Sequence, residues 1–439
     1  MQHSCFVALA AIMFCAAAKA QSSAKTFDMY ITDVEGGHAV LYVSPTGEPL
    51  LEDTGNPGQR DHDRIMEVLN AAGVKKIDHL ITTHYHGDHV GGLEELAKSI
   101  PIEHYIDHGP TAEEREQVKN FQATYAGLYS KAKHSVVKPG DKIPFGSVDV
   151  TVVTSAQQVI KKPLPDGGIA NPACGEFKPR DDSDTQAENR QSVGVVYTYG
   201  KYRSVNLGDF TFNEEQQLMC PSNPIGHVSL FLTSHHGINQ SNSFALVHGL
   251  APTVAIMHNS SRKGGALTTM QALWTSPGLQ DLWQLHWAYA AGIEYNAPGL
   301  FIANMDDAET IAGVITGKIP AGMGGVGGGR GRADVPGTPT AGSAPPQAVP
   351  GASALGPQAG GPGGPGGPGA GFGGGRGGHN GPAFYIKVSA RADGRSPSRI
   401  CGTASARRTA RASRFTPTGA SASTGAPRSS HDNVRVGMK

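Results

Sequence analysis

The sequence predicts a mixed α/β domain, because segments with the two-residue period of strands alternate with segments that have the helical period. Runs of strand-forming residues lie at 148–153, 193–199, 204–207 and 227–232. Apolar residues at helical spacing mark residues 61–72, and residues 212–219 are a second candidate helix. A body of roughly 290 residues is ample for one sizeable core. We therefore expect one principal domain, residues 26–317.

The most informative segment is His-Tyr-His-Gly-Asp-His at residues 84–89, which is followed closely by two glycines. Residues 76–83 before it have the composition of a short strand, and we expect a helix at residues 93–99. Imidazole nitrogens and carboxylate oxygens are the usual non-thiolate ligands of zinc-like ions. His84 and His86 can therefore serve one ion, and Asp88 and His89 can serve an adjacent one. A solvated histidine-rich loop is the alternative interpretation.

The motif and five other blocks resemble the metallo-β-lactamase superfamily and, within it, the ComEC-like branch. The blocks occur along the chain in the same order as in that family. The other blocks are an Asp-Val-Glu-Gly-Gly-His turn within 27–40, Asp-Thr-Gly ending 50–55, Asn-Arg-Gln-Ser-Val at 189–193, Leu-Gly-Asp ending 205–209, and His-His-Gly ending 232–237. The resemblance implies an αββα sandwich, in which two sheets are covered by helices. In the first turn, Glu35 and His38 stand where the family commonly has Gly and Asp, which puts details of the site entrance in doubt.

The resemblance also implies the metal ligands. Two divalent ions, zinc foremost with manganese or iron as alternatives, would be held by His84, His86, Asp88, His89, Asp209 and His236. Asp209 would bridge the two ions, and Asp88 would also orient the attacking nucleophile. His236 is favoured as the ligand over His235, which would contact the substrate or the ligands, and this choice stays open.

One superfamily histidine, which usually completes the ligand set of the first ion, has no clear counterpart in this chain. Asn189 and Ser192 stand near that place, so the first ion would be held more weakly, or the site would work with one ion. His258 is either a pocket residue or a strand-end surface histidine. Hydrogen bonds from Asp33, Asp53 or Thr54, as three alternatives, are expected to orient the ligand histidines.

The resemblance implies a metal-dependent hydrolase that uses a metal-bound hydroxide on phosphodiester or phosphate-ester substrates, either small molecules or polymers. The N-terminal segment described below adds the expectation that this hydrolase is exported. One alternative is a lactone, β-lactam or other ester hydrolase of the same fold, which the missing histidine disfavours. Another is a non-catalytic exported binding module with a relic metal site, against which the intact ligand set argues. Nucleic acid is expected as a substrate only, because tight duplex binding needs Lys and Arg and the body of the chain is acidic.

The first 20 residues predict a secretory signal peptide, and thus a secreted or periplasmic protein. An apolar run at 6–18 leads into Ala-Lys-Ala before Gln21. That run is too short to span a membrane, and no later segment supplies a span. After cleavage the cysteines are Cys174, Cys220 and Cys401. The first two either pair in an oxidising compartment or are free thiols.

The end of the chain changes composition abruptly. Residues 318–382 are rich in Gly and Pro and predict a disordered insertion. Residues 383–390 predict a final strand, paired with residues 299–304. Residues 391–439 form a basic, low-complexity tail: from residue 387 onward, eleven Lys and Arg stand against two Asp, so the body is about as negative as the tail is positive. We hypothesise that the reading frame shifted near Gly394; an intact frame on resequencing would refute this.

Overall fold

A computed structural model describes residues 25–181, 187–305, 383–394 and 398–399. The expected signal peptide, the Gly/Pro-rich insertion and most of the basic tail lie outside these residues. The described chain forms two stacked β-sheets with helices against their outer faces, as the sequence predicted.

The first sheet comes mainly from the N-terminal half of the domain. Its order is β19-β18-β1-β2-β3-β4-β5-β6. Its strands are β1 (Phe27–Ile31), β2 (Val40–Val43), β3 (Pro49–Glu52), β4 (His79–Ile81), β5 (His104–Asp107), β6 (Lys133–Val136), β18 (Ile386–Ala390) and β19 (Ser398–Arg399). Pairing is antiparallel from β19 to β3 and parallel from β3 to β6. The helices of this half are α1 (Gln59–Ala71), α2 (Gly87–Val90), α3 (Leu93–Ser99) and α4 (Glu116–Tyr129).

The second sheet has the order β17-β16-β15-β14-β12-β11-β8-β7, with β9 paired to β8. Its strands are β7 (Lys142–Ile143), β8 (Asp149–Ser155), β9 (Gln158–Val159), β11 (Gly194–Tyr199), β12 (Tyr202–Asn206), β14 (Leu230–Leu232), β15 (Val254–Met257), β16 (Asp281–His286) and β17 (Ile302–Asn304). A separate pair joins β10 (Ile169–Ala170) to β13 (Ser222–Asn223). The α-helices are α5 (Phe212–Met219), α6 (Phe244–Leu250), α7 (Leu267–Trp274) and α8 (Gly292–Tyr295). Short 3₁₀ helices are Pro172–Glu176, Asn189–Gln191, Ser234–Gly237, Tyr289–Ala291 and Gly299–Phe301.

Strand alternation builds the layers of the sandwich. In β1, Phe27 and Met29 point into the core between the sheets, whereas Tyr30 points to the helix side, because successive strand residues face opposite ways. Tyr197 of β11 meets the same central core from the second sheet. On the outside, helix α1 covers the first sheet with apolar side chains spaced three and one residues apart, such as Ile65, Val68 and Leu69.

This arrangement gathers the predicted motifs at one edge of the sandwich. Residues 84–89 follow β4, Asp209 follows β12, and the histidine pair follows β14. All three strands are parallel to a neighbour, and the carboxyl ends of parallel strands are where loops of α/β sheets converge on ligands.

The helix predictions at residues 93–99 and 212–219 are confirmed with the same bounds, in α3 and α5. The predicted partner of residues 383–390 is wrong. Strand β18 pairs antiparallel with β1 in the first sheet, whereas β17 ends the second sheet beside β16. Pairing with β1 turns Ile386, Val388 and Ala390 into the central core. The expected partners touch through Asn304, whose Oδ1 accepts from the Phe384 N–H at 2.8 Å.

Cys174 and Cys220 are joined by a disulfide, which links the 3₁₀ helix Pro172–Glu176 to the residue after α5. Of the two alternatives left open by the sequence, the structure therefore has the paired form. Within the described residues, none of the helices combines the length and the apolar character that crossing a membrane requires.

Candidate metal centre

The structure brings the six predicted ligands together in two groups that share Asp209. One group contains His84, His86 and Asp209, and the other contains Asp88, His89, Asp209 and His236. Within each group the candidate ligand atoms lie within 4.8 Å of one another. The loop after β4 thus meets residues more than a hundred positions later in the chain.

Asp209 lies at the centre of the cluster. Its Oδ1 is 3.2 Å from His89 Nε2, and its Oδ2 is 3.4 Å from His236 Nε2 and 3.8 Å from His84 Nε2. His84 Nε2 is in turn 3.0 Å from His86 Nδ1. The carboxylate therefore has contacts in both ligand groups, as a bridging ligand requires.

Hydrogen bonds on the far side of each ring determine which nitrogens carry protons. The Thr83 hydroxyl donates to Asp53 at 2.7 Å, so it accepts from His84 Nδ1 at 3.1 Å. His89 Nδ1 donates to Asp53 at 2.7 Å, and His86 Nε2 donates to Glu113 at 2.9 Å. A neutral imidazole carries one proton. His84 Nε2, His89 Nε2 and His86 Nδ1 are therefore left with lone pairs that point into the cluster.

These lone pairs show that the residues fit divalent cations. His84 Nε2 and His86 Nδ1 face each other at 3.0 Å, and two acceptors at that distance need a positive charge between them. Asp209 Oδ1 is buried and accepts no hydrogen bond from the residues that the structure describes, although buried polar atoms are normally satisfied. Nitrogen and oxygen donors without a thiolate suit zinc, manganese or iron.

Asp53 organises this outer layer of hydrogen bonds. Its carboxylate accepts from the Thr83 N–H at 2.8 Å and contacts His38 Nδ1 at 3.0 Å, in addition to the bonds from the Thr83 hydroxyl and from His89. Asp53 is buried and has a φ of +58°, a left-handed conformation that costs energy for a residue other than glycine. The role that the sequence predicted for Asp53 is present in the structure.

The other two residues expected to support the histidines behave differently. The Thr54 hydroxyl donates to the backbone carbonyl of His89 at 3.1 Å rather than to its ring. Asp33 contacts none of the ligand histidines. It accepts instead from Arg64 at 3.0 Å and pairs with His286 at 2.8 Å, because its turn lies against α1 and β16. Of the three alternatives, the structure therefore supports Asp53 and not Asp33.

The electrostatics keep both carboxylates ionised. Burial would raise the pKa of Asp209, but His235, His89 and His236 hold it well below the ordinary value. For Asp88, burial is likewise outweighed, chiefly by Lys263 and His89, and the pKa lies well below the ordinary value.

The pKa values of two ligand histidines shift in opposite directions. Burial, with the neighbouring His89 and His86, lowers the pKa of His84 well below the ordinary value. Burial also acts to lower the pKa of His89, but Asp209, Asp53 and Asp88 raise it to about 10. The three carboxylates thus stabilise positive charge at His89, and a cation bound at Nε2 would supply that charge while the ring stays neutral.

The two consecutive histidines take different positions. His236 belongs to the second ligand group, whereas His235 belongs to neither. His235 Nε2 lies 3.2 Å from Asp209 Oδ2 and 3.5 Å from Asn189 Nδ2. The Ser241 hydroxyl donates to a backbone carbonyl and is 3.3 Å from His235 Nδ1. The hydroxyl oxygen therefore accepts from the Nδ1–H of His235, and Nε2 of the neutral ring carries no proton. Both histidines have positive φ, 52° and 56°, the kind of backbone strain that clusters at functional sites.

The remaining residues singled out by the sequence lie around this centre. The Ser192 hydroxyl accepts from the backbone N–H of Asp209 at 3.2 Å. His258 is buried, with its ring centroid 4.7 Å from that of His38 and 4.9 Å from that of His236. Neither ring nitrogen of His258 has a hydrogen-bond partner in the described part of the chain. His258 is therefore a buried residue beside the ligand groups rather than a surface one.

The sequence reasoning missed the contact of the Thr83 hydroxyl with His84, and it missed Glu113 and Lys263. Glu113, in the loop between β5 and α4, accepts from His86, and Lys263, in the loop after β15, forms an ion pair with Asp88. Glu113 stands in a run of charged residues, where nothing distinguishes it. For Lys263 the available signal was the pair of glycines that follows it after a strand end.

Comparison with known proteins supports a family assignment. Residues 32–246 match the profile of the family described as "Metallo-beta-lactamase superfamily". Ribonuclease Z of Methanopyrus kandleri is 31% identical over 127 residues, which cover 28% of this chain and 41% of that protein. The "Beta-lactamase-like protein 2 homolog" of Caenorhabditis elegans is 31% identical over 88 residues, which cover 16% of this chain and 30% of the relative. The chain thus spans less than half the length of these relatives.

Solved structures also show similarity at low sequence identity. The metallo-beta-lactamase fold protein YhfI of Bacillus subtilis is 12% identical and aligns over 58% of this chain and 96% of its own, with a TM-score of 0.36. A diphosphatase from the PhnP family is 14% identical and aligns over 58% of this chain and 94% of its own, with a TM-score of 0.30.

Proposed function

We propose that this chain, whose fold and profile match support its place in the metallo-β-lactamase superfamily, is a metal-dependent hydrolase of phosphodiesters or phosphate esters. The observation that carries the proposal is the pair of ligand groups that share Asp209. Their lone pairs converge, and hydrogen bonds from Asp53, Thr83 and Glu113 hold the rings in place. Such outer partners orient ligands and tune the metal.

In this proposal His84, His86 and Asp209 hold the first ion, and Asp88, His89, Asp209 and His236 hold the second. When bound, two such ions supply a hydrolytic nucleophile near neutral pH and stabilise negative charge in the transition state. The protein's own contribution is to orient reactants. Asp88 is the ligand that is most open to solvent, at 24% side-chain exposure, and it orients the nucleophile. His235, whose Nε2 lies 3.2 Å from Asp209 Oδ2 and outside both ligand groups, would contact the reacting group.

A phosphoester is favoured over a lactone or β-lactam by the lysine ammonium that adjoins Asp88. A cation beside the site favours an anionic substrate. The similarity to a protein named Ribonuclease Z agrees with this choice.

Export to the periplasm or the outside belongs to the same proposal. The Cys174–Cys220 disulfide supports it, because disulfides persist mainly in oxidising compartments. The apolar N-terminal segment that ends before Gln21 supports it from the sequence.

The test is hydrolysis of bis-p-nitrophenyl phosphate by the chain that begins at Gln21, metal-free and then with zinc, manganese or iron. We expect metal-dependent turnover that falls by on the order of 100-fold or more in Asp88→Ala, since that change removes a ligand and the nucleophile's partner. Asp63→Ala is the matched control, because Asp63 is an exposed carboxylate on α1.

Full metal occupancy without turnover would contradict the phosphoester proposal and favour ester or lactone substrates. Failure of the chain to bind metal at all would contradict an enzyme role and favour a binding module.

A further inference from the structure

A short loop after β15 holds Lys263 beside the ligand groups. The Ser260 hydroxyl accepts from the backbone N–H of Arg262 at 3.3 Å and of Lys263 at 3.0 Å. The Ser260 N–H donates to the Lys263 carbonyl at 2.9 Å. These bonds close the loop on itself and fix the backbone of Lys263, whose Nζ donates to Asp88 Oδ2.

Glycines on both sides allow this loop to pack closely. Gly264 has a φ of +104°, and a Cβ there would lie 2.1 Å from the backbone oxygen of His236. Gly36, in the first turn of the domain, has a φ of +75°, and its Cβ would lie 3.2 Å from Lys263 Cβ. Lys263 is therefore held between the two halves of the sandwich, at a defined place relative to His236 and Asp88.

The Lys263 ammonium has N–H donors that no described residue accepts from. Across the described ranges of the chain, its Nζ donates to Asp88 only, and an ammonium has three N–H donors. The Lys263 side chain is 36% exposed and that of Asp88 24%, whereas that of His236 is fully buried. The spare N–H groups therefore lie on the solvent side of the centre, from which a substrate has to approach.

We propose that Lys263 is a substrate-binding residue that donates to a non-bridging phosphoryl oxygen of an anionic substrate. This inference rests on the proposed function and names the group that selects the substrate class. A cation bound by Asp88 would share the lone pairs that now accept from Lys263, and the ammonium would then pair with the phosphoryl group. Lysine binds phosphate as a point charge, and a neutral ester or lactone offers it no anionic oxygen.

The neighbouring Arg262 provides a matched control. Its guanidinium lies 5.6 Å from the centroid of the Tyr289 ring and does not pair with Asp88. Arg262→Met therefore removes the same charge from the same loop without removing the proposed contact. Lys263→Arg keeps the charge and is a second variant that retains the ion pair.

The test measures binding of inorganic phosphate to zinc-loaded wild type, Lys263→Met, Lys263→Arg and Arg262→Met by calorimetry, with zinc content determined for each protein. We expect Lys263→Met to bind phosphate about 10- to 100-fold more weakly, the usual range for a charge-assisted hydrogen bond, with unchanged zinc content. Lys263→Arg and Arg262→Met should stay within about threefold of wild type, as expected where no direct charged contact is lost. With bis-p-nitrophenyl phosphate, KM should rise more than kcat falls in Lys263→Met.

Equal phosphate affinity in Lys263→Met and wild type would overturn the inference. So would loss of zinc from Lys263→Met, which would make Lys263 a support for Asp88, or an equal loss of affinity in Arg262→Met. Lysine-dependent phosphate binding by a protein that hydrolyses no phosphoester would support the anion site and contradict the proposed function, so the two failures are distinguishable.

Discussion

At the scale of single residues, Asp53 shows how a side chain that is not itself among the predicted ligands prepares the centre. It collects hydrogen bonds from the rings and hydroxyl around it, and thereby turns the lone pair of His89 toward Asp209. Its backbone is left-handed, at a cost on the order of 1 kcal/mol. The surrounding hydrogen bonds offset that cost, so the strained residue persists where the site needs it.

Asp53→Asn should weaken zinc binding by about 10- to 100-fold, the range seen when an outer partner of a ligand histidine is lost. In Asp53, Oδ2 accepts from His89 and from the Thr83 hydroxyl, and Oδ1 accepts from the Thr83 N–H. The amide has one oxygen, so its NH2 group would face one of these donors. A chelator competition assay measures the zinc affinity, with Asp63→Asn on the surface of α1 as the control. Unchanged zinc affinity in Asp53→Asn would show that the carboxylate does not orient the ligands.

His235→Ala should lower kcat by on the order of 100-fold, as expected for a group that assists proton transfer or positions the reacting atoms. Zinc content should stay at the wild-type value, because His235 lies outside both ligand groups. Metal analysis and steady-state kinetics on the same preparation check both statements. Release of one zinc per chain would instead identify His235 as a ligand.

At the scale of secondary-structure elements, strand β18 extends the first sheet beyond β1. It joins the chain beyond the Gly/Pro-rich insertion to β1, with Phe27 opposite Ala390 and Ile31 opposite Ile386. Its alternate residues Ile386 and Val388 enter the central core. The strand therefore covers the edge of β1 and contributes to the layer between the sheets.

A chain that ends after Met305 should be less stable than the full chain by about 3–6 kcal/mol, from the loss of two buried aliphatic side chains. It should also aggregate more readily, because the edge of β1 becomes available for pairing. Urea unfolding and light scattering measure these effects. A chain that ends after Arg399 keeps β18 and β19 and should match the full chain. Equal unfolding midpoints for all three would mean that β18 adds nothing to the fold.

At the scale of the whole molecule, the two sheets meet over a polar cluster as well as an apolar core. Glu52 of β3 accepts from Tyr42 at 2.7 Å and from Tyr197 of the second sheet at 2.9 Å. Burial raises the pKa of Glu52 from 4.5 to about 7, although these donors and His38 oppose the shift. The folded protein therefore holds a proton on Glu52 at a pH where the unfolded chain has released it.

This raised pKa predicts that stability falls with increasing pH. The contribution of protonated Glu52 is fully present below pH 4.5 and is lost as the pH rises to about 7. A difference of this size corresponds to about 3 kcal/mol. Glu52→Gln cannot ionise, so the free energy of unfolding of wild type relative to this variant should decrease across that window. Urea unfolding with chelator present measures it, and parallel pH profiles of the two proteins would contradict the assignment.

The sequence by itself determined the alternation of strands and helices, the helices at residues 93–99 and 212–219, and the dense ligand motif at residues 84–89. These features depend on periodicity and on neighbours along the chain, which a sequence displays directly. Only the tertiary structure decided that Asp209 has contacts in both ligand groups, that His236 rather than His235 joins one of them, that Lys263 reaches Asp88, and that β18 pairs with β1 rather than with the segment before the insertion. Each of these contacts joins residues far apart in the chain, and the stacking of the sheets and the direction of each side chain bring them together. The local amino-acid composition indicates neither the stacking of the sheets nor the direction of the side chains.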